Sequence, residues 1–387
     1  MQKEARIYLD YAATTPLDDR VLKAMLPYFQ QDFGNPSSIH HWGQMAENGL
    51  ARSREIVSET LGCSPSEVIF TGSATESNNL LLRGAAFAAR RRSGANHLLT
   101  TPIDHPSVTR TVQHLENDFG FNVEFLTIDK DGLVNLEDLK NKIREETSIV
   151  SIIYANNEIG TVNNISALGA VCKSRGVLFH TDAVQAANYL SLDVDSLNVD
   201  FLTLGGHKIY GPKGVSALYI RSGTPVDPTI TGGSQEFGNR ASTENVPLIV
   251  GFAEALQIAI SLREDLSENH TNLRDKLIDQ ILRVVPDAGI TGHRTERLPN
   301  HASFFFRNIR SMPLLAALDL AGFACSSGSA CKVGSPKPSE VLLKLGFSEE
   351  LSLGSLRVTI GRSTSEKEIS EFSTTLPSII ARLRSTH

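Results

Sequence analysis

A chain of 387 residues is long enough for two domains, or for one large domain with an appendage. Hydrophobic residues make up 41% and charged residues 21%, an ordinary globular composition, and a net charge of −6 offers no basic surface for direct contact with nucleic acid. Four cysteines are too sparse for a disulfide framework and point to a reducing compartment, and no apolar run is long enough to span a membrane.

In chain order, the first apolar stretch begins almost at once, so no signal or transit peptide is expected. Ile7-Tyr8-Leu9-Asp10-Tyr11 reads as a short strand, followed by the turn Ala12-Ala13-Thr14-Thr15-Pro16. Asp18 or Asp19 can cap a helix running to about residue 29. Gly34-Asn35-Pro36-Ser37-Ser38 is a loop, and a long amphipathic helix is predicted over 44–61. A strand over 68–70 leads through Thr71-Gly72-Ser73-Ala74-Thr75-Glu76 into the next helix. From there strands near 97–100, 123–126, 149–154 and 177–180 alternate with helices near 107–117, 136–144 and 167–174. That alternation predicts an α/β fold with a mostly parallel central sheet covered by helices.

Two helices running nearly end to end over 247–283 read as a bridge between domains. A new α+β pattern follows, with strands over 303–306 and 356–360. The expected division is a large domain over 15–260 and a small one formed by 1–14 together with 261–387.

Chemistry concentrates at strand ends. The apolar run 199–204 ends in Gly205-Gly206-His207-Lys208-Ile209-Tyr210-Gly211-Pro212-Lys213-Gly214, which places a lysine on a tight turn beside a core strand. Burial favours the neutral amine that attacks a carbonyl. Upstream, Val177-Leu178-Phe179-His180-Thr181-Asp182 ends a second strand in an aspartate. Ligands of open α/β sheets bind at such ends. An aspartate for a pyridinium nitrogen and a lysine for an aldehyde are the pair that pyridoxal phosphate requires. Alone, Lys208 reads as a surface turn lysine and Asp182 as a helix cap.

Thr71-Gly72-Ser73-Ala74-Thr75-Glu76 offers a helix N-terminus to an anion, with hydroxyls from Ser73 and Thr75. No Gly-Lys-Ser/Thr follows, so it is not a nucleotide-binding P-loop. His105, after the strand over 98–100, could stack on a flat ring and shuttle protons. Asn156, in Ala155-Asn156-Asn157-Glu158-Ile159-Gly160, could donate to a ring oxygen or to substrate. Arg357 lies on a late strand, and an arginine facing a pocket grips a carboxylate.

The stretch Cys325-Ser326-Ser327-Gly328-Ser329-Ala330-Cys331-Lys332-Val333-Gly334-Ser335-Pro336-Lys337-Pro338 puts Cys331 among small residues and lysines, a setting that lowers a thiol pKa and lets the chain bend. Cys325 follows a more apolar run, and the two cysteines match no zinc spacing.

Together these residues resemble the cysteine desulfurase family, pyridoxal phosphate enzymes of the class V aminotransferase group with the type I fold of that cofactor's transferases. The resemblance runs from Tyr8-Leu9-Asp10-Tyr11-Ala12-Ala13-Thr14-Thr15-Pro16 to Gly361-Arg362. The length of the loop after Cys331 resembles the subgroup that serves iron–sulfur cluster assembly. The resemblance implies that Lys208 holds the cofactor covalently and moves the Cα proton. It gives Asp182 the ring nitrogen, Gln185 the ring hydroxyl and His105 the ring face. Ser73, Ala74, Thr75 and His207 take the phosphate, and Thr243 reaches it from the partner subunit of a homodimer. Asn35, Asn156 and Arg357 hold the substrate, Asn156 also touching the cofactor.

The resemblance further implies that Cys331 takes sulfur from L-cysteine as a persulfide, that L-alanine leaves, and that the sulfur passes to an acceptor protein such as an iron–sulfur scaffold or to another thio-modification. The expected location is the cytoplasm. Selenocysteine lyase or class V aminotransferase activity is the alternative. Gly205 stands where the family usually has a serine, and Ser242 replaces a usual glycine.

Overall fold

The computed structural model describes residues 6–328 and 337–385. Its centre is a seven-stranded sheet in the spatial order Val68–Thr71, Ser216–Ile220, Phe201–Gly205, Leu178–Asp182, Thr147–Ile153, His97–Thr100, Asn122–Phe125. The expected mostly parallel, helix-covered sheet is borne out. Six strands run the same way, and Ser216–Ile220 alone runs against both of its neighbours. Six carboxyl ends therefore gather along one edge.

The inner strands are buried along their whole length, Thr147–Ile153 and Phe201–Gly205 included. That explains why their sequences read as continuous apolar runs instead of alternating ones. One apolar cluster, with Val57, Leu61, Ile152, Phe179, Leu204 and Phe252, packs on one face. Another, with Leu81, Leu98, Val112, Ile149, Phe201 and Leu218, packs on the other. The helix on the first face, His41–Leu61, starts three residues before its predicted position because His40 Nδ1 accepts from the Gly43 N–H and caps it.

A separate apolar cluster holds the antiparallel strands Ser355–Thr359, His301–Phe306 and Ala288–Ile290 with the helix Glu366–Ser385. Ile7 and Leu9 belong to it, because Ile7–Tyr8 pairs in parallel with Phe323–Ala324 and Asp10 bridges Thr359. The helices Val246–Ser261 and Arg263–Val284 meet at Leu262 with a bend of 67°. The first packs in the core of the central sheet through Phe252 and Leu256, the second in the C-terminal cluster through Leu277 and Ile281. Among the described residues, no single helix is long and apolar enough to cross a membrane.

Candidate active site

At the carboxyl edge of the sheet lies a cavity of about 230 Å³. Asp182, the last residue of its strand, forms part of the wall and is 5% exposed. Its carboxylate is fixed on both oxygens: Oδ2 accepts from Asn78 Nδ2 at 2.9 Å and Oδ1 from the Val184 N–H at 3.1 Å. Beneath it His180 joins three strands, its Nδ1 2.8 Å from Ser151 Oγ and its Nε2 3.2 Å from Thr203 Oγ1. Burial takes the His180 pKa down to about 3, so this ring is a neutral brace.

Lys208 lines the same cavity from the turn after Gly205. Its Nζ donates to the carbonyls of Ala12 and Ala13, each at 2.6 Å. Burial and then the charge of Arg357 bring its pKa down to about 8, against opposing pulls from Asp10 and Asp182. Gln185 Nε2 donates to the same Ala12 carbonyl at 2.9 Å, which ties the N-terminal turn to the cavity wall.

On the other side the helix Ala74–Ser93 points its N-terminus at the cavity. Ser73 caps it by accepting from the Glu76 N–H at 3.1 Å, and Ala74 and Thr75 form its exposed first turn. First-turn N–H groups have no partner within a helix and are suited to an anion. His207 adds its ring at this end, with Nδ1 3.1 Å from Thr14 Oγ1. Burial and the neighbouring lysines lower its pKa to about 4. A Cβ on Gly205 would stand 3.3 Å from Val184 and 3.7 Å from Ala74, a tight fit beside the same helix end that needs Val184 to give slightly.

His105 lines the cavity and caps the helix Pro106–Phe119, Nδ1 accepting from the Ser107 N–H at 3.1 Å. Ser107 Oγ lies 2.8 Å from that same Nδ1 and accepts from Asn78 Nδ2 at 2.8 Å. Asn78 and Ser107 were not among the residues singled out in the sequence. They form a hydrogen-bonded chain from Asp182 to His105. A polar residue on the buried face of the helix after Ser73 was the one available signal.

The remaining expected residues are placed differently. Asn156 is 1% exposed, and its amide is used inside its own loop: Nδ2 donates to the Ile103 carbonyl, and Oδ1 accepts from the N–H groups of Glu158 and Ile159. Asn157 lines the cavity in its stead. Arg357, 6% exposed, donates to Asp10 Oδ1 at 2.8 Å and to the Asn157 carbonyl at 2.9 Å, while its Nε has no partner. Asn35 and Thr243 are exposed and stand outside the cavity wall formed by this chain. Cys331 lies outside the described residues.

The family model described as Aminotransferase class-V matches residues 7–372. A protein named Cysteine desulfurase IscS from Dictyoglomus turgidum is 42% identical over 378 residues, covering 98% of this chain and 95% of that one. A protein of the same name from Methanosarcina thermophila is 41% identical, covering 98% and 93%. Among solved structures, a NifS-like protein superposes with a TM-score of 0.91 at 35% identity, over 97% of this chain and 100% of that one. SspA in complex with cysteine superposes with a TM-score of 0.80 at 36% identity, over 91% and 98%.

Proposed function

The chain belongs to the class-V aminotransferase family as a cysteine desulfurase, and on that premise we propose how its own residues divide the work on L-cysteine. The observation that carries the reading is the convergence of Asp182, Lys208 and the helix end at Ala74 on one cavity. These residues fit pyridoxal phosphate: a fixed carboxylate for the ring nitrogen, an amine for the aldehyde and an anion-ready helix end for the phosphate. When bound, the cofactor supplies the electron sink for breaking bonds at Cα and Cβ of the substrate.

Asp182 would keep the ring nitrogen of the bound cofactor protonated, and Asn78 holds Asp182 in place. His105 would cover the ring face; burial lowers its pKa, and its Nδ1 accepts from Ser107, which leaves the proton on Nε2. Gln185 stands at the wall for the ring hydroxyl. Ser73, Ala74, Thr75 and His207 surround the phosphate position. Lys208, with its pKa near 8, has a neutral amine within reach at physiological pH and carries the proton taken from Cα.

Arg357 takes the substrate carboxylate by exchanging its contact with Asp10, its free Nε adding a further donor. Asn157, in the cavity wall, borders the substrate with Asn156 bracing its turn, and we assign Asn35, outside the wall formed by this chain, to the outer side of the substrate. The Cys331 thiolate attacks the substrate sulfur, and a sulfur–sulfur bond forms as the Cβ–sulfur bond breaks. The electron pair of the broken bond stays with the carbon fragment, where the cofactor would supply the electron sink, and a proton delivered to Cβ completes alanine. The persulfide then hands its outer sulfur to an acceptor thiol, for iron–sulfur assembly or another thio-modification, in the cytoplasm.

We place Thr243 in the neighbouring cavity of a homodimer. It is exposed here, and its loop is rigidly rooted: Glu236 accepts from Arg54 Nη1 and Nη2 at 2.8 and 2.9 Å. The test is incubation of the purified holoenzyme with L-cysteine and a thiol reductant, following alanine and sulfide. Equal amounts of both are expected, and pyruvate or a keto acid in place of alanine would contradict the reading.

A further inference from the structure

The turn that opens the helix Ala74–Ser93 is closed by a carboxylate from that helix's own first turn. Glu76 Oε2 accepts from the Gly72 N–H at 2.8 Å, while the Glu76 N–H donates to Ser73 Oγ at 3.1 Å, in the manner of a capping box. The chain therefore enters the helix along one fixed path, and Ser73, Ala74 and Thr75 line the cavity. The arrangement has an electrostatic cost. A carboxylate in the first turn repels any anion held at the N-terminus of the same helix. Arg240 offsets that charge: its Nε donates to Glu76 Oε1 at 2.8 Å, with the two side chains only 19% and 20% exposed.

Arg240 reaches Glu76 from the loop that continues to Thr243, and this loop is bonded twice to one strand–turn–helix element. Upstream of Arg240, Glu236 accepts from the Phe70 N–H at 2.8 Å, on the strand just before the turn, and from both Nη atoms of Arg54. Arg240 then makes the second bond, to Glu76. Beyond it the Ala241 N–H donates to the Ile230 carbonyl at 3.2 Å and the Ser242 N–H to Gln235 Oε1 at 3.3 Å. Ser242 is held there at a φ of 99°. A residue with a side chain keeps that backbone only where its surroundings over-determine it. The loop is thus set in one position against the element whose helix end meets the cavity. Arg240 itself is not part of the cavity wall.

We propose that Arg240 is a positioning residue for the cofactor's phosphate group: it cancels the charge of Glu76 at the helix end and, through the same carboxylate, fixes the turn from Thr71 to Ser73. This rests on the reading that the helix end at Ala74 receives the phosphate. Arg240 acts through Glu76 and has no part in the bond changes on L-cysteine. In the proposed homodimer the same ion pair also sets the loop that offers Thr243 to the neighbouring cavity, so one side chain serves the phosphate ends of both sites.

The test uses the full-length protein, stripped of cofactor and reloaded, as wild type, Arg240→Ala, Arg240→Lys and the double variant Glu76→Gln with Arg240→Ala. Affinity is read by cofactor absorbance for two ligands, pyridoxal phosphate and pyridoxal, which lacks the phosphate. Arg240→Ala should hold pyridoxal phosphate about tenfold more weakly and pyridoxal as the wild type does. Adding Glu76→Gln removes the unpaired charge, keeps an acceptor for the Gly72 N–H and should restore most of the loss. Arg240→Lys keeps a cation without the planar fork, guards against misfolding of the alanine variant, and should lose severalfold for pyridoxal phosphate alone. Unchanged affinity for pyridoxal phosphate in both single variants would overturn the proposal. So would an equal loss for the two ligands, which would mean general damage, or no recovery in the double variant. The underlying reading has its own control. Inorganic phosphate should slow hydrogen exchange of the peptide 72–78 in the wild-type apoprotein; no slowing would overturn the phosphate assignment of the helix end, separately from what the variants show.

Discussion

Asn78 and Asp182 stand 104 positions apart in sequence, yet the Asn78 amide donates to Asp182 Oδ2 at 2.9 Å and, through the same nitrogen, to Ser107 Oγ at 2.8 Å. The carboxylate expected to meet the cofactor's ring nitrogen is thereby coupled to the cap of the helix that carries His105. Asn78→Ala would leave a buried carboxylate oxygen without its donor, at a cost of about 1–3 kcal/mol. The expected outcome is a lower melting temperature and weaker retention of pyridoxal phosphate on dialysis. Asp182→Asn should fold and release alanine at least about a hundredfold more slowly, since a neutral amide cannot keep the ring nitrogen protonated. Near-normal alanine production would refute the role of Asp182.

The lowered pKa of Lys208 has a signed consequence for the apoprotein. Its charged form is disfavoured in the fold, so between about 8 and the ordinary lysine value of 10.5 the unfolded chain binds more protons at this position. Stability from this group therefore rises with pH across that window and is absent from the comparison in Lys208→Met. The melting temperature of the apoprotein minus that of Lys208→Met should increase from pH 8 toward 10. Covalent capture of pyridoxal phosphate should rise through about pH 8 and vanish in the variant; borohydride reduction labelling a different lysine would contradict the assignment.

Gly205 stands at the phosphate end of the cavity, where a Cβ fits only if Val184 gives slightly. A Cβ there would stand 3.3 Å from Val184 Cγ1 and 3.7 Å from Ala74 Cβ, a contact that a small rotation of Val184 relieves. Gly205→Ser adds a hydroxyl beside the helix end at Ala74, so pyridoxal phosphate should dissociate severalfold more slowly. Faster loss of cofactor would show that the hydroxyl does not reach the phosphate.

Arg54 and Glu236 form a two-pronged ion pair at 2.8 and 2.9 Å, both side chains nearly buried, and Glu236 also accepts from the Phe70 N–H at 2.8 Å. Removing one partner strands the other charge. Arg54→Ala should cost about 3–5 kcal/mol in chemical denaturation. If the proposed role of the Thr243 loop holds, the variant should also shift the dimer toward monomer in sedimentation. Unchanged stability would contradict the account of a buried ion pair whose loss leaves a charge unpaired.

The sequence carried the parts of this architecture that are local. The turn at Lys208, the strand ending in Asp182 and the helix start at Ser73 each announce themselves through glycine, capping and apolar runs within ten residues. What it did not reveal joins distant segments. Ser216–Ile220 runs antiparallel between two parallel neighbours, and nothing in an apolar five-residue run encodes its direction. Asn78 has no local motif to mark it, because its partners arrive from two other elements. Asn156 and Asn157 illustrate a different limit. Adjacent identical residues cannot be told apart by composition, and the loop spends the first on its own backbone while exposing the second to the cavity.

The central claim is that sulfur passes through Cys331. Burial, and then the charge of Asp10, pushes the Cys325 thiol far above its usual range, and burial takes Cys63 and Cys172 up to about 12. None of these three is a ready thiolate at neutral pH. The direct measurement is peptide mass mapping after brief exposure of the holoenzyme to L-cysteine without reductant, with alanine quantified in the same sample. The account predicts one added sulfur on the peptide containing Cys331, one alanine per site, and loss of both in Cys331→Ser with the cysteine-induced spectral change retained. Added sulfur on Cys325, or alanine released by Cys331→Ser at the wild-type rate, would contradict it.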